Sequence, residues 1–247
     1  MGLEVERTDP ARQPQGGAGG RNLTYAMLDE VGRAIVTGWY DDRPFPTEAD
    51  LAKEHGVSRS VTREAVKMLT AKGLLTARPR KGTTVQPQAQ WNLFDPDVLR
   101  WLLERKFSLT LLRQFSELRV AIEPAAAAIA ARVRHPELIA GIADGYRRME
   151  AAEHGDGDPL DADIDFHIAV LNASANPFYM QFRDVVTTAL RTSIQFTNRF
   201  KGRTASLPAH KDVLDAIEAG DADAARTSMA AIIGDVMVLI ADAESGA

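Results

Sequence analysis

Asp163, His167 and His210 are the residues of this sequence with the clearest capacity for chemistry. On a helix, successive residues turn by about 100°, which puts His167 about 40° from Asp163. Both then sit among Ile164, Phe166, Val170 and Leu171, while Asp165 and Asn172 face the other way. A carboxylate and an imidazole on an apolar face must be paired or must hold a cation, because burying either alone is costly. Spacing i, i+4 aims both to one side, as a helical metal site requires. His210 has a similar setting, sharing its face with Val213, Leu214 and Ile217. One carboxylate and two imidazoles suit a borderline divalent cation such as zinc, nickel or manganese, with positions left for water or a ligand. Core residues satisfied by neighbouring hydrogen bonds give the same pattern, and the spacing alone leaves both readings open.

Arg119 is the third inward polar feature, surrounded by Leu112, Phe115, Ile122 and Ala126 with Glu123 one turn on. A guanidinium there needs an anion, and its fork matches a carboxylate. That anion is either a carboxylate ligand or a protein partner, Glu123 or Asp163. Thr192, Gln195 and Arg191 fall on a helix that could face the same cavity, which makes Thr192 and Gln195 candidate effector contacts.

A different chemistry is written in residues 43–86, RPFPTEADLAKEHGVSRSVTREAVKMLTAKGLLTARPRKGTTVQ. Thr47 is placed to cap a first short helix, His55-Gly56-Val57 turns the chain, and Ser58 caps a second helix through about Lys72. On that second helix Val61, Ala65, Met68 and Leu69 share an apolar face, while Arg59, Arg63 and Lys67 recur every four residues on another. Residues 74–86 alternate as two strands around Arg78-Pro79-Arg80-Lys81-Gly82, a candidate wing. This is the layout of a helix-turn-helix that reads double-stranded DNA. The net charge of the chain is −5, but residues 43–81 hold nine Lys/Arg against four Asp/Glu, leaving −10 elsewhere. A basic segment on an acidic remainder implies two domains with two tasks.

The elements that must position these residues follow from breakers and periodicity. Residues 1–20 are expected to form a disordered tail, residues 21–86 a winged helix-turn-helix with its first helix over 22–38, and residues 87–95 a linker in which Trp91 and Phe94 dock. Residues 96–247 show only helical patterns, over about 96–106, 109–133, 136–154, 160–175, 177–200, 206–219 and 221–243. The fold class expected is therefore mainly α, with a C-terminal bundle of six or seven helices, and Pro124 should kink or open the second of them. Cysteine is absent, which removes disulfides and thiolate metal sites and fits the cytoplasm. No uninterrupted apolar run approaches about 18 residues, and no signal-peptide layout opens the chain, so no membrane partner is expected.

Residues 22–86 resemble the winged helix-turn-helix of GntR-type transcriptional regulators, through FPTEADLAKEHGVSRSVTREAVKMLTAKGLL and the KGT wing. Residues 96–243 resemble the all-helical FCD effector domain of the FadR subfamily, through LRVAIEPAAAAIAA, DADIDFHIAVLNASANP and AHKDVLDAIEAGDADAAR. The resemblance implies a homodimer that binds a palindromic operator under control of a small metabolite. It places Ser58, Arg59, Ser60 and Arg63 at the DNA, with Lys81 and Gly82 where the wing enters the minor groove. Ala49 stands where a DNA-contacting arginine is usual. Asp163, His167 and His210 match three of the family's four metal ligands, the fourth position being Ile232, and Arg119 matches an arginine that meets carboxylate effectors. QWNLFDPDVLRWLLE, together with Ile232, is most similar to regulators of galactonate and related aldonate catabolism.

The function expected is a DNA-binding regulator, a repressor, whose operator affinity follows a small carboxylate such as a sugar acid. Two rivals remain at this level. A metalloenzyme would use Asp163, His167 and His210 to activate water, but offers no place for the helix-turn-helix. A constitutive DNA-binding protein with a purely dimerising helical domain leaves the inward polar residues unexplained.

Overall fold

Thr47 begins the local logic of the N-terminal unit. In the computed structural model, which describes residues 18–78, 82–200 and 205–245, its hydroxyl accepts from the Asp50 backbone N–H while the Asp50 carboxylate accepts from the Thr47 N–H. This reciprocal box opens α2 (Glu48–Glu54). Ser58 caps α3 (Arg59–Ala71) by accepting from Val61 N–H at 3.3 Å. Thr62, Ala65, Val66 and Leu69 are the buried positions of α3, so its inward face is turned slightly from the expected one, and Val61 and Met68 are half-buried. Across them pack Met27, Leu28, Val31 and Ile35 of α1 (Ala18–Val36) and Leu51 of α2. The first helix begins at Ala18, so the last three positions of the expected tail are helical; the rest of that tail lies outside the described residues.

The hairpin follows as an antiparallel pair, β1 (Leu75–Arg78) and β2 (Gly82–Val85), with Leu75 opposite Val85 and Arg78 opposite Gly82. Its tip, including Lys81, lies outside the described residues. After β2 the chain turns back on its own unit. Trp91 Nε1 donates to the Gln86 carbonyl at 2.8 Å, and Asn92 N–H donates to the Lys72 carbonyl at 2.9 Å. The chain divides into two compact units, Met1–Asn92 and Leu93–Ala247.

The second unit contains, among the described residues, eight helices: α4 (Pro96–Glu104), α5 (Leu109–Val133), α6 (Pro136–Glu153), α7 (Pro159–Ala173), α8 (Pro177–Met180), α9 (Arg183–Phe200), α10 (Leu207–Ala219) and α11 (Ala222–Ser245). Proline in the first two positions starts five of them, where its missing N–H costs nothing. The span expected as one helix over 177–200 is two, α8 and α9. No glycine or proline marks the step at Gln181-Phe182, and the Phe182 ring packs edge-on to Phe94 at 5.7 Å. α5 runs as one helix through Pro124, which is buried within it. Ala126, Ala127, Ala130 and Ala131, all 0% exposed, keep α5 slim enough to pack closely against α7, α10 and α11. Arg134, at φ 52°, ends α5 and donates to the Glu218 and Ala219 carbonyls, covering the C-terminus of α10.

α11 bears on the expectation of no membrane partner without overturning it. By length and composition it is apolar enough to cross a membrane, with a mean hydropathy of 1.6, although charged residues interrupt its apolar runs. Here it packs along α5 and α10, and it supplies part of a cavity wall.

Gly73 ends the turn after α3 at φ +76°, and an added Cβ would overlap the Gln90 carbonyl oxygen. Gly56 has φ +61° but open space around it. Gly56→Ala should therefore cost about 1–2 kcal/mol from left-handed strain alone, and Gly73→Ala substantially more. Thermal melts of the two full-length variants check the order.

Candidate metal centre and cavity

Glu123 is the residue around which the interior polar groups are arranged. It lies on α5, 0% exposed, and its carboxylate takes Arg119 Nε at 2.5 Å and His167 Nδ1 at 2.5 Å. A second Arg119 nitrogen reaches the other carboxylate oxygen at 3.4 Å. Burial pushes the Glu123 carboxyl up, but the Arg119 guanidinium and then His167 outweigh it and hold it at about 2. The protein-partner alternative for Arg119 is thus realised with Glu123. The same arginine also forms part of a cavity wall.

Fixing Glu123 fixes His167. With Nδ1 donating to the carboxylate, Nε2 carries the lone pair. His210 on α10 is set in the same way, since its Nδ1 is 2.8 Å from the Ser206 carbonyl, which only accepts, leaving Nε2 as the lone-pair nitrogen. Phe166 packs edge-on to the His210 ring at 4.9 Å. Asp163, one turn before His167 on α7, completes the group. Its Oδ1 lies 3.0 Å from His210 Nε2 and 3.6 Å from His167 Nε2, and the two Nε2 atoms are 3.4 Å apart.

With both rings in that tautomer, three electron-pair donors face one another, an arrangement that a cation can satisfy. Oδ1 of Asp163 is buried and has no hydrogen-bond partner of adequate geometry. Burial pushes its carboxyl up, but the neighbouring His210, then His167 and Arg119, outweigh it and bring it below the ordinary value, so Asp163 is ionised. Metal bonds of about 2.1 Å separate neighbouring ligands by roughly 3.0 Å in octahedral and roughly 3.4 Å in tetrahedral geometry. The three observed separations run from the octahedral value to slightly beyond the tetrahedral one. One oxygen and two nitrogens, each ring oriented by a second partner, fit a divalent cation in both donor type and spacing.

The donors open on a cavity of about 360 Å³. Arg119, Asp163, His167 and His210 line it together, so the structure brings four of the expected site residues to one place. Thr192 is not in its wall; its hydroxyl is spent on the Thr188 carbonyl at 2.7 Å, and Ser193 lines the cavity instead. The side chain of Gln195 lies outside the described residues. Arg191 pairs with Asp161 at 2.8 Å. Ile232 of α11 faces the cavity, and Asp235 three residues on also lines it. The i, i+4 spacing announces the Arg119–Glu123 pair, but the reach of Glu123 to His167 crosses 44 positions and no local pattern signals it.

On the N-terminal unit, Ser58, Arg59, Ser60 and Arg63 are exposed over the first turns of α3, with Lys67 continuing the same side. Ser58 is engaged through Oγ as the helix cap. Arg63 lies 3.7 Å from Glu48 with its side chain 66% exposed, a pairing of about 0–1 kcal/mol that leaves the guanidinium available to another anion. Gly82 and Ala49 are exposed.

Glu123→Gln removes the charge that orients His167 and neutralises Arg119. Metal affinity should fall about 10–100-fold, measured by calorimetric titration of zinc into metal-stripped protein, with circular dichroism confirming that the variant folds.

Comparison with known proteins agrees with both units. Residues 32–85 match the family model "Bacterial regulatory proteins, gntR family", and residues 114–235 match the FCD domain. The galactonate operon transcriptional repressor of Escherichia coli is 34% identical over 217 residues, covering 86% of this chain and 94% of that protein. The uncharacterised HTH-type transcriptional regulator YieP of Escherichia coli is 32% identical over 216 residues, covering 86% and 93%. Among solved structures, Lar of Listeria monocytogenes has a TM-score of 0.53 at 17% identity, covering 95% of this chain and 99% of that one, a likeness of fold. These relatives are transcription regulators and lend no support to a metalloenzyme. With a gntR-type head and an FCD domain in one chain, the protein belongs to the GntR family of DNA-binding transcription regulators.

Proposed function

We propose that this regulator is a repressor that binds its operator as a homodimer in the cytoplasm and is controlled by a small carboxylate, a sugar acid of the galactonate type, bound in the helical unit beside a divalent metal. One observation carries the reading: two imidazole lone pairs and an ionised carboxylate converge on the wall of a cavity of about 360 Å³, with Arg119 beside them. The repressor at 34% identity, named for the galactonate operon, supports the effector class.

Asp163, His167 and His210 would hold the metal, and zinc, nickel and manganese all suit the donors. Bound there, a divalent cation supplies a Lewis-acidic point with open positions for effector oxygens. Ile232 adds no ligand to this set, so the protein provides three. Arg119 is neutralised by Glu123, yet its remaining donors add a favourable field for an entering carboxylate. Thr192 and Gln195 remain assigned to the effector only as neighbours of Ser193, which lines the cavity itself.

At the DNA end, Arg59 and Arg63 would read base edges from the start of α3, with Ser58 and Ser60 beside them and Lys81 and Gly82 of the wing at the minor groove. With Ala49 on the exposed first turn of α2, that helix offers no arginine there. Effector binding changes operator affinity only to the extent that it favours one arrangement of the two heads over the other.

Fluorescence anisotropy on operator DNA, titrated with galactonate with and without zinc, tests this function. Galactonate should weaken the complex only when metal is present; unchanged operator affinity at saturating galactonate and metal would sink it. Arg63→Ala should abolish specific binding, and Lys67→Ala should lower affinity uniformly and reduce the salt slope by about 1. If operator affinity survives in Arg63→Ala, α3 is not the reading helix.

A further inference from the structure

Ile232 and Asp235 lie three residues apart on α11 and both line the cavity that Arg119, Asp163, His167 and His210 also line. α11 therefore brings an apolar side chain and a carboxylate to this cavity. Asp235 has no ion pair or hydrogen bond among the described residues, whereas most other carboxylates in contact with this unit's helices are paired or capping. It is also outside the metal-ligand group. The position is exposed, as expected at a mouth rather than deep in the site.

We propose that Asp235 is a specificity-determining residue that accepts hydroxyl groups of the effector and excludes a second carboxylate. An ionised carboxylate only accepts hydrogen bonds. It therefore favours a ligand that offers O–H groups at that end and repels one that offers an anion, because like charges brought together out of bulk water interact unfavourably. The carboxylate of the ligand is drawn instead to the elements that carry Arg119 and the metal ligands, which leaves its hydroxyl end to α11. The cavity is then polar in one direction: anion-attracting at α5 and α7, anion-rejecting at α11. This selects a polyhydroxylated monocarboxylate over the dicarboxylate of equal length. It rests on the proposed function, since it presumes that a carboxylate effector occupies this cavity.

The test is a calorimetric titration of zinc-loaded full-length protein with galactonate and with galactarate, which differs by a carboxylate in place of the terminal hydroxymethyl group. Wild type should prefer galactonate by at least tenfold. Asp235→Asn, which keeps the size and loses the charge, should cut that preference to threefold or less, mainly by gaining galactarate, with zinc affinity unchanged. An unchanged preference in Asp235→Asn, or equal affinities in wild type, overturns the role of Asp235 while leaving the effector class standing. Loss of zinc affinity in Asp235→Asn would make the residue a metal ligand and also overturn it. If neither sugar acid binds wild type, the effector reading itself fails, and the assignment of Asp235 falls with it.

Discussion

The interior of the helical unit depends on the Glu123 carboxylate staying ionised while fully enclosed. Its desolvation is offset by two donors, the Arg119 guanidinium on the same helix and the His167 ring from α7. The consequences run outward in order. Because Glu123 accepts from His167 Nδ1, the proton of that ring is committed and Nε2 faces Asp163 and His210 with a lone pair. Because Arg119 is neutralised on one side, it can line the cavity without carrying a bare buried charge. Removing either partner of such a pair leaves an uncompensated charge, and breaking one typically costs about 3–5 kcal/mol. An arginine, a carboxylate and a histidine on two helices thus behave as one unit.

That unit can exist only if α5 and α7 approach closely and hold their rotation. The alanines of α5 supply the first condition, since Ala126, Ala127, Ala130 and Ala131 put no bulk between helices. The second comes from terminal restraints: the Asp158 carboxylate capping α7, and Arg134 tying the end of α5 to the carbonyls at the end of α10, which carries His210. The helices that carry the ligand donors are thus each restrained at one end, α7 at its start and α10 at its finish, which suits a site needing positions good to a few tenths of an ångström.

Much of this was legible because the signals are local. Thr47, Ser58, Asp95 and Asn176 cap as their types require, and Pro96, Pro136, Pro159 and Pro177 start helices where the missing N–H is harmless. The inward placement of His167, His210 and Arg119 follows from a 3.6-residue period alone. What escaped depends on contacts between distant segments. The step from α8 to α9 has no breaker to announce it. The bond from Glu123 to His167 joins residues 44 apart. Thr192 shares its helix with cavity residues, but a rotation of one position gives that place to Ser193. No local pattern marks Asp235, which reaches the cavity through the packing of α11 against α5 and α10.

The three-ligand set also constrains how metal and effector act on each other. A site with a full complement of protein ligands can hold its metal without the effector, and the two affinities can then be nearly independent. Ile232 offers no ligand atom, so a metal held by Asp163, His167 and His210 would draw part of its shell from water or from the effector. If effector oxygens take those positions, effector binding must tighten metal binding by the same factor that metal tightens effector binding, because the coupling free energy is reciprocal. A sensor built this way would answer to both concentrations at once. On the proposed reading, the apolar residue at position 232, which lines the cavity without a ligand atom, would be what makes the two ligands interdependent.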